Sequence, residues 1–154
     1  LQYPQYAEFL CKEIAREFED KKIDVVISPA LGGIVVGQEV GRQLHARSIF
    51  AERADGVLQV RRGFEIQPAE RVLVCEDVVT TGGSIGEVME IVKRNHGSII
   101  GAACIVDRSN GKVRGPEGEA LFSLLTMDVI TYKPEECPVC QQKIPLVKPG
   151  SRSE

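Results

Sequence analysis

Val72-Leu73-Val74-Cys75-Glu76-Asp77-Val78-Val79-Thr80-Thr81-Gly82-Gly83-Ser84 is the stretch whose character decides the fold. With Arg71, its opening Val72 to Cys75 forms the strongest buried-strand run of the chain. Apolar residues on consecutive positions suit a strand covered on both faces, as in a parallel sheet. The run ends in two adjacent carboxylates, Glu76 and Asp77. A turn of hydroxyls and glycines then leads into a helix expected to reach about Asn95, with Ser84 and Glu87 spaced as a capping box and Gly97 as the stop.

Similar units lie on either side. Tyr6 to Phe18 reads as an outer amphipathic helix with Phe9, Leu10, Ile14 and Phe18 on its apolar stripe. Asp24 to Ser28 is a short apolar strand stopped by Pro29 and followed by Gly32-Gly33. A helix is expected from Ile34 to Leu44, where Gly37 and Gly41 permit close packing on a sheet. Ser48 to Ala51 reads as another strand. Asp55-Gly56 marks a turn opening a polar, arginine-bearing loop or hairpin up to Pro68. Ile99 to Val106 is a strand ending in Asp107-Arg108, and a last strand is expected from Leu121 to Leu125 after the turn around Gly115-Pro116-Glu117-Gly118. Strand and helix alternate without an internal repeat. The expected fold is therefore α/β, a mainly parallel twisted sheet flanked by helices with right-handed crossovers. In such sheets ligands bind beyond the carboxyl ends of the strands, near the point where strand order reverses. Pro29 to Gly33, Glu76 to Ser84 and Asp107-Arg108 all fall at such ends.

A length of 154 residues suits one domain spanning 1–154. With 43% hydrophobic and 27% charged residues, disorder is excluded. A net charge of −3 supplies no general attraction to nucleic acid. No apolar stretch is long enough to cross a bilayer, and the start lacks a signal-peptide plan, so a cytoplasmic protein is expected. The first residue is Leu1 rather than Met, which leads us to expect that an N-terminal segment is missing. Of five cysteines, Cys11, Cys75 and Cys104 lie in apolar runs, a pattern suited to a reducing compartment. Cys137-Pro138-Val139-Cys140 has metal-like spacing, but zinc takes four ligands and no second pair or nearby His is present. A reduced, inert pair is expected there. His45 and His96 fall near helix ends and receive no role.

The 72–84 stretch has the makings of a ligand site. Backbone N–H groups at a helix N-terminus attract a phosphate, glycines let its oxygens approach, and Thr and Ser hydroxyls add donors. Glu76 and Asp77 repel that anion, but they can accept hydrogen bonds from sugar hydroxyls or serve Mg²⁺. As structure alone the stretch is a strand leading to a capped helix, yet two adjacent acids and Thr-Thr-Gly-Gly-Ser exceed what a cap needs. A nucleoside triphosphatase is the nearest rival, and the chain has no Gly-x-x-x-x-Gly-Lys-Ser/Thr loop.

These thirteen residues resemble the phosphoribosyl pyrophosphate motif of the type I phosphoribosyltransferases throughout. Ser28 to Gly33, Phe50 to Arg53, Arg61 to Phe64, Val106 to Ser109 and the tail Ile144 to Arg152 look most like the orotate phosphoribosyltransferases of that family. The resemblance implies transfer of phosphoribosyl from phosphoribosyl pyrophosphate to orotate, with Mg²⁺ as cofactor and no direct protein ligand to the metal assigned. It implies that Glu76, Asp77, Val78, Val79, Thr80, Thr81, Gly82, Gly83 and Ser84 bind phosphoribosyl pyrophosphate. Thr80 to Ser84 would take the 5-phosphate, and Glu76 and Asp77 the ribose hydroxyls. Ala30, Leu31, Gly32 and Gly33 would form the pyrophosphate loop, with a non-proline cis peptide between Leu31 and Gly32. Arg108 would bind the orotate carboxylate, with Thr80 near the ring.

Asp77 and Arg53 are the catalytic candidates. A closing loop between about Glu52 and Gln67 would exclude water, with Arg53, Arg61 or Arg62 reaching pyrophosphate, shared across a homodimer. The chain departs from the larger members in having neither Lys nor His between Phe50 and Glu70, and no lysine in Leu31-Gly32-Gly33. Two other readings stay open: a purine phosphoribosyltransferase, which would not need Arg108, and a phosphoribosyl pyrophosphate-sensing regulator without turnover.

Overall fold

The computed structural model describes residues 1–145 apart from 116, 119 and 131; Pro116 of the expected turn and most of the motif-bearing tail lie outside the described residues. Six strands form one sheet, β1 (Val25–Pro29), β2 (Arg47–Ala54), β3 (Val57–Val60), β4 (Arg71–Val79), β5 (Ser98–Asp107) and β6 (Phe122–Thr126). Their order is β3-β2-β1-β4-β5-β6, and all neighbours are parallel except the β2–β3 hairpin. The chain steps outward from β1 to β2 on one side and resumes with β4 on the other. The reversal of strand order therefore lies between β1 and β4, whose register runs Val25 to Val72 through Ile27 to Val74. Ligand crevices of α/β sheets sit at this place.

The period-two alternation of strand side chains divides the core in two. Val25, Ile27, Val72 and Val74 pack with Ile85, Val88 and Val92 of α3 (Gly83–Arg94). Val26, Leu73 and Cys75 pack on the opposite face with Cys11, Ile14 and Phe18 of α1 (Pro4–Phe18) and Val36 and Val40 of α2 (Gly32–Leu44). The consecutive apolar run of β4 is thus covered on both sides, as its composition demands. Gly37 and Gly41 bring α2 close to the sheet: a β-carbon on Gly37 would strike the Ser28 hydroxyl, and one on Gly41 would lie 3.2 Å from the Ser48 β-carbon. Asp55 and Gly56 both take positive φ, 50° and 80°, the conformation of a tight hairpin turn between β2 and β3.

Local expectations need correction at several points. The buried face of α1 is Ala7, Cys11, Ile14, Ala15 and Phe18, while Phe9 is 66% exposed. At about 100° per residue, Phe9 stands roughly 140° around the helix from Ile14 and cannot share its stripe. No capping box opens α3: Gly82 occupies the N-cap position at φ 78° without a side-chain cap. That helix stops at Arg94, and His96 rather than Gly97 takes the left-handed conformation, at φ 59°. The cis peptide joins Ala30 and Leu31, one bond earlier than expected.

Candidate active site

Alternation along β4 decides where its two acids go. Glu76 follows Val72 and Val74 to the α3 side, and Asp77 follows Leu73 and Cys75 to the α2 side. Glu76 accordingly lines a cavity of about 180 Å³ with Val78, Thr80, Thr81, Gly82, Gly83 and Ser84, closed at one side by Arg53 and Glu87. Asp77 stands against the first residue of α2, so near that a β-carbon on Gly32 would enter its carboxylate. The turn after β4 and the loop after β1 are thereby tied to one acidic pair. Val79 is buried in the core and contributes no wall to the cavity.

The turn has the features of an anion cradle. The first N–H to close a helical bond is that of Gly86, onto the Gly82 carbonyl at 2.9 Å, so the amides of Gly83, Ser84 and Ile85 precede the ladder. Gly82 has two reasons to be glycine. Its φ is positive, and a β-carbon would come within 2.7 Å of a Val113 methyl. Val113 belongs to the loop after β5, which folds over the cradle.

Asp107 holds that loop. It is buried, and accepts the Ser109 N–H at 2.7 Å and the Gly111 N–H at 3.0 Å. Burial alone would raise this carboxyl, but the hydrogen bonds from Ser109 and Gly111 outweigh it and hold it below its ordinary value. Next to it, Arg108 donates its backbone N–H to the Val79 carbonyl at 2.7 Å, which sets it directly beyond the end of β4. Its side chain is exposed and makes no hydrogen bond or ion pair among the described residues.

The other candidate arginines are engaged. Arg53 pairs with Glu87 at 2.9 Å across the cavity wall, and this hydrogen bond holds the Glu87 carboxyl below its ordinary value. Arg62 and Arg61 reach Glu52 at 2.8 Å and 3.7 Å. The stretch around them is pinned by an edge-to-face contact between Phe50 and Phe64, ring centres 5.2 Å apart, and by buried Ile66. A wider cavity of about 590 Å³ lies at the opposite end of α3, between Leu58, Phe64, Ile66, Ile91, Arg94 and Asn95. It contains neither member of the acidic pair and no strand carboxyl end from the switch point, so size does not make it the reacting site.

Strand-end position marked Glu76 to Ser84, Ala30 to Gly33 and Arg108 in advance, and these segments do converge. Asp107, Val113 and Glu87 carry supporting tasks that were not foreseen. Asp107 had a usable signal, an acid followed by Ser109 and Gly111 at the spacing of a local turn. Val113 and Glu87 act through contacts distant in sequence.

Comparison with known proteins agrees with this geometry. The family described as phosphoribosyl transferase domain matches residues 3–119. An orotate phosphoribosyltransferase of Chlorobaculum parvum is 58% identical over 153 residues, 99% of this chain and 78% of that protein. One from Caldicellulosiruptor bescii is 54% identical over 154 residues, covering 100% and 80% of the two chains. Among solved structures, adenine phosphoribosyltransferase of Rhodothermus marinus superposes with a TM-score of 0.71 at 18% identity, covering 82% of each chain. Orotate phosphoribosyltransferase of Mycobacterium tuberculosis, in complex with 5-phospho-alpha-D-ribosyl 1-diphosphate, gives 0.64 at 22% identity over 82% of this chain and 76% of that one. A sequence match across most of the chain, on a sheet whose switch point carries the motif, shows that this chain belongs to the phosphoribosyl transferase family, among its orotate phosphoribosyltransferases.

Proposed function

We propose that the chain transfers the phosphoribosyl group of phosphoribosyl pyrophosphate to a ring nitrogen of orotate, giving orotidine 5-phosphate and pyrophosphate. The observation that carries this is the placement of the cradle and Glu76 on one side of β4, with Asp77 and the 30–33 loop on the other. A molecule with a phosphate at one end, a vicinal diol in the middle and a pyrophosphate beyond it meets a suitable group at each point.

In this reading the amides and hydroxyls of Thr80 to Ser84 bind the 5-phosphate, Glu76 and Asp77 accept from the ribose hydroxyls, and Ala30 to Gly33 take the pyrophosphate. The bond from C1 to the pyrophosphate oxygen breaks as the nitrogen bond forms, through a cationic sugar. No protein nucleophile is required, and the chain's contribution is positioning and charge. Arg108 offers a two-pronged contact to the orotate carboxylate, and its guanidinium has no hydrogen-bond or ion-pair partner among the described residues. Arg53, held by Glu87 in the wall of the 5-phosphate cavity, would have to release that partner and swing away to reach the leaving group. Arg61 and Arg62 would serve a neighbouring subunit of a homodimer.

Mg²⁺, a hard cation that takes oxygen ligands and water, would enter with the substrate without an assigned protein ligand and would neutralise charge building on the pyrophosphate. No described helix is long and apolar enough to cross a membrane, in keeping with the cytoplasmic setting we propose. The test is pyrophosphate release with phosphoribosyl pyrophosphate, Mg²⁺ and one base at a time. Turnover with orotate alone supports the reading; turnover with purines, or binding without turnover, overturns it.

A further inference from the structure

Three of the five cysteines are chemically shielded. Cys11, Cys75 and Cys104 are buried, and burial pushes the Cys11 and Cys104 thiols up to about 12 and the Cys75 thiol well above its ordinary value. Cys137 and Cys140 differ on both counts. Cys137 caps the short helix α4 (Pro138–Gln141) and Cys140 lies within it, the first half-buried and the second exposed. The Cys140 N–H donates to the Cys137 sulfur at 3.3 Å. Hydrogen bonding toward that sulfur, from Cys140 first and then from the Val139 amide, favours the Cys137 thiolate and holds its thiol below the ordinary value, while Cys140 is raised. One sulfur thus accepts the backbone amide of the very residue that carries the second thiol, three positions along the chain.

From this juxtaposition we propose that Cys137 and Cys140 form a redox site that exchanges with low-molecular-weight disulfides and closes to an intrachain disulfide. The Cys137 thiolate attacks one sulfur of the small disulfide, forming a mixed disulfide and expelling one small thiolate. Cys140 then gives up its proton and attacks the Cys137 sulfur, expelling the second small thiolate. Two protein thiols are oxidised, one disulfide is reduced to two thiols, and the Cys140 proton passes to the departing thiolate. A metal is the weaker fit. Among the described residues no third Cys, His, Asp or Glu joins the pair, whereas structural zinc takes four ligands. Such a redox site departs from the reduced, inert pair expected from the sequence.

The full chain, incubated with glutathione disulfide, acid-quenched and mapped by mass spectrometry, provides the test. The expected product lacks two hydrogens and joins Cys137 to Cys140 within one chain, while Cys11, Cys75 and Cys104 stay reduced. In Cys140→Ser, glutathione should remain trapped on Cys137. In Cys137→Ser, modification of Cys140 should be slower by on the order of tenfold at neutral pH. Both positions lie outside the two core clusters, so both variants should melt with the parent protein. Equal rates in the two variants, a stable glutathione adduct on the parent chain, or links formed only between chains would overturn the proposal.

Discussion

Gly32 and Asp77 are in contact across the switch point of the sheet, so that the space a β-carbon on Gly32 would need is filled by the Asp77 carboxylate. The relationship joins the loop after β1 to the end of β4 and fixes where Asp77 can point. Either residue can be disturbed only by moving the other.

Gly32→Ala should therefore damage binding without damaging the fold. Gly32 is helical with no positive φ, a position where alanine ordinarily gains stability. Any loss then reports displacement of Asp77. We expect an unchanged or higher melting temperature and a KM for phosphoribosyl pyrophosphate raised about tenfold or more, the equivalent of about 1.4 kcal/mol. An unchanged KM would show that Asp77 has freedom the structure does not indicate.

Arg108→Ala should act on the base alone. Removing a charge-assisted contact worth about 1.5–3 kcal/mol raises the orotate KM by roughly ten- to a hundredfold. The KM for phosphoribosyl pyrophosphate and the melting temperature should stay near the parent values, because the side chain has no partner among the described residues. Equal rises in both KM values would remove Arg108 from the orotate site.

Arg53→Ala separates chemistry from stability. An ion pair as exposed as Arg53–Glu87 contributes about 0–1 kcal/mol to folding. Loss of a leaving-group contact would instead lower kcat/KM by about ten- to a hundredfold. A variant with full activity and lowered stability would make the pair a structural clasp.

Asp107→Asn should lose stability in a pH-dependent way. The folded carboxyl lies below its ordinary value of 3.8, so its stabilisation is fully present above that pH and is lost as pH falls through the folded value. Urea unfolding at pH 7 should show a deficit of about 1–3 kcal/mol, the cost of weakening two buried hydrogen bonds to a charged acceptor. The gap between variant and parent should narrow below pH 3.8. A gap that stays constant down to pH 3 would mean that Asp107 ionisation does not hold the loop.

Much of this site was legible because strand ends collect unusual residues. Glu76 to Ser84 stood out as an acidic pair followed by hydroxyls and glycines, and β4 declared itself by being apolar on both faces. What stayed hidden depended on contacts distant in sequence. Alternation sends Glu76 and Asp77 to opposite faces, but which face carries α3 and which α2 follows from the crossovers, not from the strand itself. Glu87 resembled a capping partner of Ser84 until Arg53, 34 residues earlier, was seen to claim it. The cis bond between Ala30 and Leu31 has no mark in residue type that separates it from the next bond. Phe9 looked like core by hydrophobicity, whereas small Ala7 and Cys11 hold the buried positions by angle.

A crystal soaked with ribose 5-phosphate tests the central claim most directly. The account predicts the phosphate on the amides and hydroxyls of Thr80 to Ser84, with ribose hydroxyls turned toward Glu76 and Asp77. Density for the ligand in the wider cavity at the far end of α3, with the Thr80–Ser84 bend empty, would contradict it.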